Sequence, residues 1–522
     1  MSKPEAEHLG LSRKENYPTI ERAIKDIDLP LFVRSFMQPY RPNDSLEFMT
    51  HELIKFKPQR ECGAYRKTIK ELLSNPSARQ ALNTFIVSAY ECVDASEERL
   101  ELFGNLEPEQ YINLSSRQDI KKLIRVDHLI LTALANSIKA TDSIPCQSPV
   151  FDKLREHRNI IVNNKDYQAA IGLLDSMDNF GQGTSRVKYD YFKTVYGVEH
   201  IQYSKREQWK ELVRWALRTL DVKCPLRSLF WFTSSYPEEG ESKFAEAFDL
   251  LTKRNLSIAE EFLTFRRKAD FFLAATRYVD ALRSHNLPVL FPTIQENLDV
   301  HFNIKGLYNP CLLTQEDVIF SHRGMVPNDA VSLPDSSVTI ITGPNNTGKS
   351  VYVKAVGLAL TLAHNGFPIP ATTAHIHQLD GIATHCTHPE DIEHGEGGLA
   401  DELRRAKEDL MYASKRTFFL IDEPIKGTSP QDAKEISLRL ISALRRLGAP
   451  AYITTHLHEV ASAVDEWEGI QNMQTEFRIE KDKIIPSYKI VPGMAQTSHG
   501  VLLADELGFS EQALRDIIEK KT

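Results

Sequence analysis

The chain has no Cys-x-x-Cys pair, no apolar run approaching a membrane span, no excess of positive charge and no internal repeat of fixed period. Each absence removes a class of protein. The six cysteines, Cys62, Cys92, Cys146, Cys224, Cys311 and Cys386, are scattered over 522 residues, so neither a disulfide framework nor a zinc knuckle is expected, and the thiols suit a reducing compartment. Apolar runs such as Leu229 to Phe232 fall far short of the roughly 20 residues that cross a bilayer. The opening stretch MSKPEAEHLGLSRKENY carries no apolar segment of the secretory kind. The expectation is a cytoplasmic protein without a membrane partner. A net charge of -8 excludes a surface that is basic everywhere, so nucleic acid would be gripped by a local patch or an enclosed channel. With 42% hydrophobic and 26% charged residues, what remains is the composition of a globular protein of about two to four domains.

From about Ile20 to Leu287 the pattern is helical. In REQWKELVRWAL, Trp209, Leu212, Val213 and Ala216 recur at helical spacing, which lines one face. YRKTIKELLSNPSARQALNTFIVSAYECV reads as two helices broken at Asn75-Pro76, because proline is tolerated in a first turn but not in a helix interior. From about His301 short β-rich runs alternate with helical ones, the pattern of a parallel α/β sheet. The expected architecture is multidomain: an all-α region over 1–290, an α/β domain over 291–495, and a C-terminal helical element over 496–522.

The chemistry concentrates in SSVTIITGPNNTGKSVYVKAVGLAL. GPNNTGKS fits G-x-x-x-x-G-K-[ST], with a strand before it and a helix after it, so that backbone N–H groups and a helix N-terminus converge on an anion. Gly343, Pro344, Asn345, Asn346, Thr347, Gly348, Lys349 and Ser350 are thus expected to cradle a nucleotide. Lys349 would reach the β and γ phosphates and Ser350 would hold Mg²⁺. RTFFLIDEP supplies an apolar strand ending in two acids. Asp422 would organise the metal shell, and Glu423 would serve as general base toward water. AYITTHLHEV places His456 at the end of a further strand, at the sheet edge where open α/β folds bind ligands. It is a candidate γ-phosphate sensor or a structural histidine. EDIEHGEGGLADELRRAKEDL is a glycine-rich turn opening a charged helix, a second phosphate-binding helix start that suggests another subunit's nucleotide. His375, His377, His385, Cys386 and His388 match no common zinc spacing.

Together these residues resemble the ATPase module of the MutS family of DNA mismatch-repair proteins. IKGLYNPCL, MVPNDAVSL, TGPNNTGKS, FPIPA, DEPIKGTSPQDA, TTHLHEV and YKIVPGMAQTSHGVLLADELGFSEQALRDII follow the family's motif order over about 220 residues. The resemblance implies ATP and Mg²⁺ as cofactors. It also implies nucleotide sensing by His456, a phosphate contact by Asn345, and Met325 and Val326 beside the adenine. It further implies a head-to-tail homodimer whose sites are completed in trans by the turn at Gly397 and Gly398, with other DNA-repair proteins as partners. The helical half then resembles the family's core and lever, and SRVKYDYFKTVYGVEHIQY its DNA clamp.

Several positions depart from the family pattern. Gly397-Gly398-Leu399 stands where the family has S-T-F, removing a hydroxyl; Met325 stands for phenylalanine; Pro424 and Lys426 replace the usual residues after the acidic pair. No N-terminal reader domain with a Phe-x-Glu wedge is expected, since Phe244 to Glu246 and Phe509 to Glu511 lie in helical settings. No Smr nuclease domain is expected after the ATPase. Arg186, Lys188, Lys193, Lys205, Arg206 and Lys210 interleave with aromatics, which suits a DNA backbone as well as it suits a soluble hairpin. The expectation is a DNA-modulated ATPase acting as a dimeric clamp. An ATP-gated clamp on structured RNA or ribosomes, or a nucleotide-switched scaffold with little turnover, stands as the alternative.

Overall fold

The computed structural model describes residues 17–106, 117–142, 144, 148–178, 185–189, 195–200, 237–296, 300–314, 325–386, 398–425, 427–480, 483–495 and 509–519. The chain divides into two compact units, Glu71–Leu273 and Met1–Lys70 with Ala274–Thr522.

Among its described residues the first unit is helical apart from one strand pair. It contains α5 (Pro76–Phe103), α6 (Arg117–Asp142), α7 (Asp152–Val162), α8 (Lys165–Asp178) and most of the long α9 (Pro237–Ser284). The break at Asn75-Pro76 has the chemistry anticipated for it. The Asn75 side chain caps α5 by accepting from Ala78 N–H at 3.1 Å, and Pro76 occupies the first turn, where no amide is needed. The core gathers Leu123, Leu131, Leu173, Phe248 and Leu251. Within it lies a fully buried ionic group: Arg99 bonds Asp249 and stands 3.5 Å from Asp127. Strands β1 (Ser185–Tyr189) and β2 (Val195–His200) form an antiparallel pair with Val187 opposite Val198. The helix predicted at REQWKELVRWAL lies outside the described residues.

The second unit holds two sheets. A six-stranded sheet runs β12-β11-β6-β10-β9-β8, built from β6 (Val338–Thr342), β8 (Gly381–Cys386), β9 (Thr417–Asp422), β10 (Ala451–Thr455), β11 (Ile470–Glu480) and β12 (Lys483–Pro492). Its strands pair in parallel except β12, which closes one edge antiparallel to β11. Every residue of β6 and β10 is buried, which explains why both read as continuous apolar or β-branched runs rather than alternating ones. One face packs Val338, Ile340, Phe419, Ile421 and Ile453 against α12 (Pro430–Leu447) through Ile441 and Leu444, and against α13 (His458–Val464) through Val460 and Val464. The other carries Phe418 and Tyr452 in edge and tilted contact with Phe302. Beside it lies a four-stranded sheet, β3-β7-β4-β5, from β3 (Thr293–Gln295), β4 (Phe302–Leu307), β5 (Asn328–Ser332) and β7 (Thr373–His377).

The same unit includes α1 (Tyr17–Asp26), α2 (Leu29–Phe32), α3 (Pro42–Ile54) and α4 (Gln59–Ser74). These early helices are fastened to the α/β region by Lys354 with Asp28 at 3.0 Å, Lys57 with Asn365 at 2.7 Å and Arg22 with Asp409 at 2.8 Å. Among the described residues no helix is long and apolar enough to cross a membrane. Of the C-terminal element, α14 (Glu511–Glu519) is described, with Phe509, Ile517 and Ile518 exposed.

Candidate functional site

The loop between β6 and α10 (Lys349–Ala363) wraps around its own lysine. Lys349 Nζ donates to the carbonyls of Gly343 at 2.7 Å and Pro344 at 2.8 Å. Its ammonium is buried, which lowers its pKa, while Glu423 and Asp422 pull the other way. Two residues of the loop have positive φ besides the glycine that opens α10: Gly343 at 147° and Asn346 at 61°. Asparagine tolerates that region better than most side chains.

Gly343 answers to a second constraint. A Cβ there would come within 2.0 Å of Thr475 Oγ1 on β11. The same hydroxyl pairs with Thr347 Oγ1 at 2.8 Å, and Thr347 in turn donates to Pro344 O at 2.7 Å. Thr475 is thereby a buried post beneath the loop, which sequence reading missed because the contact spans 128 residues. Gly343→Ala adds this clash to a backbone strain worth about 1–3 kcal/mol. It is expected to weaken nucleotide binding by about 10- to 100-fold while far-UV circular dichroism stays native, and nucleotide titration of the two proteins measures it.

The acidic pair ends β9 as its sequence anticipates. Asp422 lies beside the loop, where Ser350 Oγ donates to its Oδ1 at 3.1 Å and the Thr454 hydroxyl from β10 donates to the same oxygen. Ser350 and Asp422 thus present hard oxygen donors side by side, the donor type that Mg²⁺ takes. Glu423 follows with φ 62°, a left-handed conformation that costs an ordinary residue about 1–2 kcal/mol. Its N–H donates to Thr454 O at 3.1 Å, and its Oε2 stands 3.0 Å from His456 Nδ1. His456 is half exposed and the carboxylate mostly covered. The geometry therefore brings together Gly343 to Ser350, Asp422, Glu423 and His456 from three adjacent strands.

Met325 and Val326 lead into β5, which is tied to the loop's helix by Tyr352 Oη donating to Asp329 O at 2.7 Å. The Asn328 side chain joins this lead-in to β12, donating to Tyr488 O and accepting from Ile490 N–H. Tyr488 has φ 59°, and its ring lies 3.2 Å from where a Cβ of Gly348 would be. Nothing in PSYKIVPG signals a left-handed tyrosine beside the phosphate loop.

Gly398 begins α11 (Gly398–Tyr412); Gly397 lies outside the described residues. Arg186 and Lys188 sit on β1 with their side chains undescribed, and Lys193, Lys205, Arg206 and Lys210 lie outside the described residues. His375 and His377 belong to the four-stranded sheet and His385 and Cys386 to the six-stranded one. Among the described residues no group of three or more histidine, cysteine or acidic side chains is placed to hold a metal ion.

A strand, a glycine-rich loop wrapped on its lysine and a helix, faced by an acidic strand end in a parallel sheet, define a P-loop nucleotide-binding domain. Residues 339–521 match the family model MutS domain V, so this part of the chain is similar to that domain. It is 32% identical over 192 residues to the DNA mismatch repair protein MutS of Lactobacillus delbrueckii subsp. bulgaricus, covering 37% of this chain and 22% of that protein. The MutS of Rhodopirellula baltica is 30% identical over 220 residues, 42% of this chain and 24% of that protein. That of Shouchella clausii is 29% identical over 222 residues, 42% and 25% respectively. The chain thus matches about a quarter or less of these curated relatives' length.

Proposed function

We propose that the protein is a DNA-modulated ATPase that works as a dimeric clamp, its ATPase module closing on nucleotide and its helical region gripping DNA. The observation that carries this reading is the alignment of Ser350, Asp422, Glu423 and His456 around the loop from Gly343 to Ser350, within a MutS domain V. Lys349 exchanges its two carbonyl partners for the β and γ phosphate oxygens, and the loop's backbone amides hold the rest of the chain of phosphates. Asp422 and Ser350 would hold a Mg²⁺ ion, which would offset the charge building on the phosphate oxygens. Glu423 takes a proton from the attacking water as its oxygen bonds to the γ phosphorus and the bond to the β-γ bridging oxygen breaks, releasing ADP and phosphate. His456, already paired with Glu423, orients that carboxylate and reports on the γ phosphate. Met325, Val326 and the Tyr488 ring border the adenine; methionine is the softer contact at its position.

Two subunits meet head to tail, the turn at Gly397 and Gly398 of each facing the other's nucleotide with backbone N–H groups. The dimer's grip then follows the differential stability of two states, one favoured by ATP and one by ADP. The domain layout of this reading is a helical core and lever over 1–290 with the clamp around 185–210, the ATPase over 291–495 and a dimerisation element over 496–522. A cytoplasmic setting with other repair proteins completes the account.

DNA anisotropy with ATP, ADP or no nucleotide tests it. Affinity is expected to change with the nucleotide and to fall linearly with the logarithm of salt. Neutralising Arg186, Lys188 or Lys193 is expected to reduce that slope by about one for each phosphate the side chain had paired with. Nucleotide-independent binding, or an unchanged slope in all three variants, removes the clamp.

A further inference from the structure

Glu423 holds a left-handed backbone, and such a conformation persists only where its surroundings over-determine it. Two of its supports come from the sheet beside it, Thr454 and His456. Two further hydrogen bonds hold residues that follow it in the turn. The carbonyl of Pro424 accepts a hydrogen bond from the buried ring of His385 on β8, whose pKa burial pushes down to about 4 and which is therefore a neutral donor. Three residues on, the N–H of Gly427 donates to Glu402 Oε2 at 3.3 Å.

Glu402 is only 9% exposed and lies in the first turns of α11. Its helix carries ion pairs of its own and one that ties it to α1. Asp401 bonds Arg404 and Arg405, and Asp409 pairs with Arg22 of α1. The Glu402 carboxylate accepting from a backbone amide makes this link charge-assisted. The turn carrying the base is therefore joined to the helix that begins at Gly398.

We propose that Glu402 is a positioning residue that couples α11 to the turn bearing Glu423, so that displacement of the helix start re-aims the base within the same subunit. This rests on the reading above, in which the start of α11 faces a partner's nucleotide. It supplies a route for cross-subunit activation that needs no hydroxyl in the glycine turn. The partner's phosphates pull on the helix start, and Glu402 transmits the shift to Gly427 and so to Glu423.

The full-length chain is compared with Glu402→Ala and Glu402→Gln, whose amide oxygen can still accept from Gly427. Amide exchange in peptides covering 423–430 is expected to speed up about tenfold in Glu402→Ala, with peptides covering 349–363 unchanged and Glu402→Gln close to wild type. ATP turnover in Glu402→Ala is expected to fall about 10- to 100-fold while the dissociation constant for a fluorescent ATP analogue stays within about twofold. Unchanged exchange at 423–430, or a loss of turnover matched by an equal loss of affinity, overturns the proposal. A wild type that binds nucleotide without hydrolysing it refutes the ATPase reading instead, and the exchange comparison then decides the positioning role by itself.

Discussion

Glu423→Gln is expected to bind ATP as wild type does and to release phosphate about 10²- to 10⁴-fold more slowly, the range a positioned general base supplies. The substitution keeps the size of the side chain and one oxygen able to face His456, which stands 3.0 Å from the carboxylate. What it removes is the capacity to take the water's proton. Binding should persist because the phosphate cradle is made by Lys349, Ser350 and loop amides, none of which depends on that carboxylate for its place: Lys349 is held by Gly343 and Pro344, and Ser350 by Asp422. A quench-flow measurement of phosphate release, with nucleotide affinity taken separately by titration, distinguishes a lost base from a collapsed site.

The second large effect concerns stability. Arg99→Met in the helical unit is expected to cost about 3–5 kcal/mol, the usual consequence of removing one partner from a buried ionic group. Arg99, Asp127 and Asp249 are almost wholly excluded from solvent. Without the guanidinium, two carboxylates remain with Lys253, which lies 3.2 Å from Asp249. Asp127 is already strained, since burial first and Asp249 second hold its pKa well above the ordinary value of 3.8. A carboxyl raised in the folded state favours folding less as pH climbs through the interval above the unfolded pKa, and it carries no penalty below that pKa. The cost of Arg99→Met should therefore be largest near neutral pH and shrink toward acid. Urea unfolding of both proteins at several pH values measures it, followed through a probe confined to the helical unit.

How far the site could be read from sequence depends on how local its determinants are. GPNNTGKS and the acidic strand end announce themselves because each places its chemistry within a few residues of a strand whose burial forces an apolar run. The break at Asn75-Pro76 was legible for the same reason. The post at Thr475 and the left-handed Tyr488 were not, because a strand residue's role under a loop on the neighbouring strand leaves no local periodicity. Nor does any nearby pattern betray that Asp28 and Lys57 reach across more than 300 residues to Lys354 and Asn365. Chain texture suggested a change near residue 291, whereas packing groups Met1–Lys70 with the α/β region. Helical spacing shows that a face is apolar and not which sheet will cover it.

Steady-state phosphate release by the purified chain, alone and with homoduplex, mismatched and four-way-junction DNA and with structured RNA, tests the central claim most directly, Glu423→Gln serving as the blank throughout. The account predicts that at least one DNA form changes wild-type turnover several-fold and that the variant stays flat. Turnover indifferent to every DNA, or altered by RNA alone, would contradict it.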